Sequence, residues 1–215
     1  VIIQAVVQGL TEFLPVSSSG HLSVVQHVTG VNGEAALVLS LVLHLGTLAA
    51  VFVAFWGTIW GMIKEFFLTI GDIFTGKFSW KNMNGNRRMM FMVIIATVIL
   101  VPFYLVEGFF TGRQGDGDIV FEGAAFLFTS LILFLSDRFG HGTRTAEQMT
   151  VKDAVTVGLF QVVALFPGVS RSGSTTAGGL LSGLEKETAV TFAFILGIPA
   201  ILGGSVLELG DALHS

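Results

Sequence analysis

Three stretches of the chain run for about the thickness of a membrane without an Asp, Glu, Lys or Arg: Ala35 to Ile63, Met89 to Val106 and Thr188 to Leu207. A helix crosses the hydrocarbon with about 20 apolar residues, and no water is present there to satisfy a broken backbone. These runs therefore restrict the chain to internally bonded helices. Ile119 to Ser136 is a fourth candidate, interrupted only by Glu122. None of the runs alternates polar with apolar residues, which argues against a β-barrel. Only 12% of the residues are charged, against about 25% in a soluble domain. The expectation is one all-α integral membrane domain over residues 1–215. Cysteine is absent, which removes disulfides and thiolate metal sites, and the net charge of -4 is spread over loops and indicates no nucleic-acid partner.

Basic residues orient the spans. Lys64, Lys77, Lys81, Arg87 and Arg88 share one loop, which the positive-inside rule assigns to the cytoplasm. Arg138, Arg144 and Lys152 mark a second cytoplasmic loop. Between them, Glu107, Asp116, Asp118 and Glu122 with a single Arg113 fit the outer side. A continuous span is expected near Leu41 to Met62. The first segment is no signal peptide, because it lacks a basic start and carries Glu12 and Pro15. The missing initiator Met suggests a start slightly inside the natural chain.

Apolar Ile2 to Leu14 is about 20 Å of helix, too short to cross, and Pro15 and three serines end it. Gly20 to Val28 is shorter still, so the two pieces read as a re-entrant hairpin whose tip lies within the membrane. Sliding the chain by 153 positions places Val16-Ser-Ser-Ser-Gly20 on Val169-Ser-Arg-Ser-Gly173, and Gln8 on Gln161. The first hairpin enters from outside and the second from inside. The expected architecture is thus an inverted-topology repeat, each copy a re-entrant helical hairpin followed by transmembrane helices. Repeat one covers about 1–150 and repeat two about 153–215, and the second copy is expected to lack about two C-terminal helices. Such repeats bring their broken helices together near the midplane.

The tips carry chemistry. Gln8 and Glu12, four apart, share a helix face and offer oxygen donors to a divalent cation, Mg²⁺ or Ca²⁺. Ser17 to Ser19 stand where a helix begins, and helix N-termini bind phosphate. Ser18 and His21 can face one side as a nucleophile and its base. Arg171 supplies a guanidinium fork for phosphate oxygens. Serines at helix breaks are often only caps, and membrane histidines are often hydrogen-bonded packing residues, which is the reading adopted for His27 and His44. Ionisable Glu12 and Arg171 are costly in a membrane, so function or an ion pair between repeats must retain them.

Gln8-Gly-Leu-Thr-Glu12, Pro15-Val-Ser-Ser-Ser-Gly-His21 and Pro167-Gly-Val-Ser-Arg171-Ser-Gly-Ser-Thr175 closely resemble the three motifs of bacterial undecaprenyl pyrophosphate phosphatases of the bacitracin-resistance type. The resemblance runs over essentially the whole chain. It implies hydrolysis of a polyprenyl diphosphate lipid to its monophosphate, a divalent cation, and a multi-pass protein of the bacterial plasma membrane whose site opens to the outer face. Carried over, Glu12 and His21 are catalytic, Ser18 is the proposed nucleophile and Arg171 is the diphosphate clamp. Ser170, Ser172 and Thr175 support the substrate, as does Ser17 beside Ser18. Gln8 stands where some members have Glu, which removes a charge from the metal site. The oligomeric state is open, a homodimer being one arrangement the sequence allows.

Two rivals remain at this stage. A secondary transporter or lipid flippase shares the broken-helix architecture but has no need of a Ser-His pair. A phosphatidate-phosphatase-type enzyme needs a histidine where Ala177 stands.

Overall fold

The computed structural model describes residues 2–30, 34–104 and 119–214. Its helices are α1 (Ile2–Phe13), α2 (Ser18–Thr29), α3 (Glu34–Ala54), α4 (Trp56–Phe74), α5 (Gly85–Tyr104), α6 (Ile119–Phe139), α7 (Val151–Val163), α8 (Arg171–Leu181) and α9 (Lys186–His214). A 3-10 turn, Ala146–Gln148, precedes α7. No strand occurs among the described residues, so the all-helical expectation stands. Glu107, Arg113, Asp116 and Asp118, which the sequence places outside, lie outside the described residues.

Among the described residues, α5, α6 and α9 contain the segments long and apolar enough to cross a membrane: Gly85–Phe103, Val120–Phe139 and Lys186–Val206. The chain is a multi-pass membrane protein. The continuous span expected near Leu41 to Met62 is corrected: α3 and α4 meet at an angle of 80° across Phe55, and the pair adds at most one further span. Phe55 stacks on Phe194 of α9 at 5.5 Å between ring centroids, and Phe13 of α1 stacks on the same ring at 5.5 Å. Each stacked pair contributes about 1 kcal/mol beyond its burial. The bend is thereby tied to α1 and α9 by side chains that a hydropathy pattern does not register.

In α1 the usual amphipathic order is reversed. Gln4, Gln8 and Glu12, spaced four apart, are buried, while Ile2, Ile3, Val6 and Leu10 are exposed. Lipid replaces water outside the helix, so apolar residues face outward and the polar stripe turns in. On α4, Trp56, Trp60, Ile63, Phe67 and Phe74 are exposed in the same way. The densest packing lies between α5, α7 and α9, where Met92, Ala96, Val157, Phe192 and Leu196 are fully enclosed. Gly158 lets α7 approach α5: a Cβ added there would stand 3.2 Å from the Ala96 carbonyl oxygen.

An ionic clasp closes the end of the molecule that carries the 138–152 loop. Arg144 donates to both carboxylate oxygens of Asp153, at 2.6 and 2.7 Å, and to the Ser182 carbonyl beyond α8. Asp153 also accepts from the Thr150 amide at 2.7 Å in a capping box at the start of α7. Burial alone raises the Asp153 pKa, but the Arg144 and Thr150 hydrogen bonds outweigh it and hold the carboxyl below its ordinary value. A carboxylate so depressed in the folded state contributes stability that is complete above its unfolded value, about 3.9, and is lost as pH falls through the lower folded value. We therefore expect melting of the detergent-solubilised protein to show a loss of stability below about pH 4. Asp153→Asn should remove that acid step and lower the melting temperature by about 4 °C or more at neutral pH.

Candidate active site

The two helix breaks are capped alike. Ser17 Oγ accepts from the Gly20 amide at 3.3 Å at the start of α2, and Ser170 Oγ accepts from the Gly173 amide at 3.1 Å at the start of α8. Each cap serine also lies 3.4 Å, hydroxyl to hydroxyl, from the serine two places on, Ser19 and Ser172. Their backbones differ. Ser17 has φ 68°, the only left-handed non-glycine among the described residues, whereas Ser170 is extended at φ -68°. A left-handed serine costs about 1–2 kcal/mol, a strain typical of functional turns. The breaks touch: a Cβ added at Gly173 would stand 3.0 Å from the Pro15 carbonyl oxygen, so glycine permits the approach.

At that contact Arg171 Nη2 donates to Glu12 Oε1 at 2.7 Å, joining residues 159 apart in sequence. The other oxygen, Glu12 Oε2, accepts from Ser18 Oγ at 2.5 Å and from Gln8 Nε2 at 3.1 Å. Glu12 is buried, and such a carboxylate is kept charged only by donors of this kind. Gly197 of α9 leaves room for the guanidinium, whose Nε would lie 3.8 Å from a Cβ added there.

A cavity of about 180 Å³ opens beside this network. Glu12, Ser17, Ser18, Ser19, Ser170, Arg171 and Ser172 all contribute to its wall, so most of the residues the motifs select meet at one place. Gln8, His21 and Thr175 are not among its lining residues. Thr175 is buried and donates to the Arg171 carbonyl at 2.8 Å, which positions the first turn of α8. The expected Ser18–His21 hydrogen bond is replaced by other partners. Ser18, first in α2, leans back to Glu12, while His21 Nδ1 bonds the Ser17 carbonyl four residues earlier at 2.8 Å and its ring packs on Phe126. A carbonyl only accepts, so Nδ1 carries the proton and Nε2 is the acceptor in neutral His21.

His44, read from sequence as a packing residue, lies in the cavity wall. Its Nδ1 bonds the Ser40 carbonyl at 2.8 Å, which again leaves Nε2 as the acceptor. The signal that finds it is positional: α3 packs on α1 and α9, and only that packing brings residue 44 beside residue 12. Gln161, the counterpart of Gln8, is buried in the same wall with neither amide atom hydrogen-bonded.

For a cation, the donors at hand are the Glu12 carboxylate and Gln8 Oε1, a buried oxygen with no hydrogen-bond partner. Oxygen donors of this kind fit a hard ion such as Mg²⁺ or Ca²⁺. The described residues contain no cluster of three His, Asp or Glu, so protein ligands alone do not complete a coordination shell.

The family model described as bacitracin resistance protein BacA matches residues 1–215. The chain belongs to the BacA family. Among its curated relatives, the undecaprenyl-diphosphatase of Alkaliphilus metalliredigens is 44% identical over 216 residues, covering 99% of this chain and 77% of that protein. The undecaprenyl-diphosphatase of Methanobrevibacter smithii is 44% identical, covering 98% of this chain and 76% of that protein. That of Mycolicibacterium smegmatis is 38% identical, with 100% of this chain and 74% of that protein covered. In this BacA-family chain the two breaks are joined by one ion pair, which a double-mutant cycle measures. Glu12→Gln and Arg171→Met should each destabilise the protein in a denaturant titration, and the double variant by less than their sum. The expected coupling is about 1 kcal/mol or more.

Proposed function

We propose that the chain is an undecaprenyl-diphosphatase, a multi-pass membrane hydrolase that converts undecaprenyl diphosphate to undecaprenyl phosphate and returns the lipid carrier to cell-wall synthesis. Family membership and the printed names of the relatives support the activity. One structural observation carries the mechanism: a serine hydroxyl, its carboxylate acceptor and a guanidinium line one cavity beside two helix N-termini.

Arg171 binds the diphosphate, its fork matching phosphate oxygens, and the unpaired amides at the starts of α2 and α8 add donors. Ser18 Oγ attacks the terminal phosphorus and passes its proton to Glu12. The bond from phosphorus to the bridging oxygen breaks, and the prenyl monophosphate leaves with that oxygen. Water then attacks the phosphoserine, returning the hydroxyl to Ser18 and releasing phosphate. Arg171 stabilises the charge that builds on the transferring group. His21, through its Ser17 carbonyl bond, fixes the turn that presents Ser18, and its Nε2 is the acceptor suited to receive a proton. Ser17, Ser170, Ser172 and Thr175 hold the two N-termini in register. A divalent cation, Mg²⁺ or Ca²⁺, held by Glu12 and Gln8, supplies further positive charge when bound.

The finer architecture belongs to the same proposal. The α1–α2 and α7–α8 pairs are re-entrant hairpins of an inverted repeat, about 1–150 and 153–215, and the site opens to the outer face of the plasma membrane. The matching caps and helices too short to span support this reading.

Phosphate release from a long prenyl diphosphate in detergent with Mg²⁺ or Ca²⁺ tests the function. Arg171→Ala and Glu12→Ala are expected to lose at least about 100-fold in rate. Full activity in either would overturn the site, and no release by the wild type would favour a transporter. Chelation should abolish release and either ion restore it. Under single turnover, labelled phosphate should be trapped on Ser18 and absent from Ser18→Ala; an unlabelled wild-type enzyme would assign the attack to water.

A further inference from the structure

A diphosphate headgroup in the cavity leaves its prenyl chain to be placed, because the two are covalently joined. The polar cavity has no capacity for a long hydrocarbon: about 180 Å³ in all, much of its wall serine, Glu12 and Arg171. Among the described residues, apolar grooves lie at two other places. One, between the α3–α4 bend, α5 and α9, is lined by residues such as Phe52, Met90 and Pro199 and shares no residue with the polar cavity. The other, about 270 Å³, lies between α6 and the α7–α8 break and shares Val169 with it. Val169 is buried, and the next residue, Ser170, is the cap of α8.

The α7–α8 break, which carries Val169, lies directly against α6. Gly168 has φ 79°, and a Cβ added to it would come within 2.9 Å of Ala125 Cβ, so the break rests directly on α6 with no side chain between. On the groove side Phe121, Ala124 and Phe128 of α6 and Phe166 of the break present hydrocarbon, and all four are exposed toward the bilayer.

We propose that this groove binds the first isoprene units of the lipid substrate, with Val169 at the junction between prenyl chain and diphosphate. The inference rests on the phosphatase reading and adds the subsite that selects a prenyl tail. Its occupant is the substrate's own chain because the groove adjoins the headgroup cavity across a single residue, Val169, which is where a tail leaving a bound diphosphate would run. A bilayer acyl chain seated there instead would leave catalysis indifferent to the groove.

The test is a chain-length series. Ala124→Trp fills the groove from an exposed α6 position outside the cavity wall, and Phe128→Ala removes apolar surface from it. Both variants are checked for monodispersity by size exclusion and assayed for phosphate release from a long-chain prenyl diphosphate and from methyl diphosphate, which has no prenyl chain. For the long substrate, KM should rise about tenfold, the worth of a few buried methylenes, with kcat within about twofold. Methyl diphosphate should show unchanged kcat/KM and a weak KM in all forms. Long-chain KM within about twofold of wild type in both variants would overturn the proposal. So would equal losses on both substrates, which would locate the effect in the fold or the headgroup site. If the wild type releases phosphate from no prenyl diphosphate, the phosphatase reading itself falls; release that is normal and independent of the groove rejects the tail subsite alone.

Discussion

The ion pair between Glu12 and Arg171 is the interaction on which the arrangement of the two helix breaks depends. Each partner alone in a membrane interior carries a penalty of several kcal/mol, and neither helix has another full charge with which to meet it. Together, at 2.7 Å, they offset that cost only if the two breaks meet, so the pair selects one juxtaposition of segments 159 residues apart. The remaining oxygen of Glu12 is not left idle, since Ser18 and Gln8 both donate to it. A carboxylate satisfied from three sides is fixed in place, which is what the proposed proton transfer from Ser18 requires.

Breaking a helix in a membrane exposes amides and carbonyls that lipid cannot satisfy. The chain answers at both breaks with a cap serine and a glycine three residues later, and the glycine at 173 also admits the Pro15 carbonyl. The amides that the caps do not use are the donors that the proposed diphosphate site draws on. Stability and function therefore draw on the same backbone groups. The strain at Ser17, with φ 68°, falls on the break that carries Ser18, the hydroxyl proposed as nucleophile.

Much of this was legible in the sequence because charge and hydropathy are local properties. The apolar runs near Met89, Ile119 and Thr188 lie on α5, α6 and α9, and the offset of 153 placed Ser17 opposite Ser170, which are both N-caps. What was not legible depends on packing. The run from Ala35 to Ile63 has no Asp, Glu, Lys or Arg, yet it bends by 80° at Phe55, where rings from α1 and α9 converge. His44 has no motif around it and reaches the cavity through the docking of α3. Spacing alone paired Ser18 with His21, but a serine that opens a helix also reaches back across the break. The Glu12 carboxylate lies there, a stronger acceptor than imidazole for that hydroxyl.

The boundary at Val169 connects these points to the chemistry. An amphiphilic substrate cannot be positioned by its headgroup alone, because a diphosphate in a wet, polar cavity can rotate among equivalent oxygens. A chain held in an adjoining apolar channel removes that freedom, and interactions remote from the reacting phosphorus are then spent on orientation. Gly168 makes this possible by bringing the break against α6 without an intervening side chain, so polar and apolar surfaces meet across one residue. The short half-helices serve the same end. A continuous span would carry its N-terminus to the membrane surface, whereas in the proposed re-entrant arrangement a broken one sets its free amides at the depth where the hydrocarbon begins.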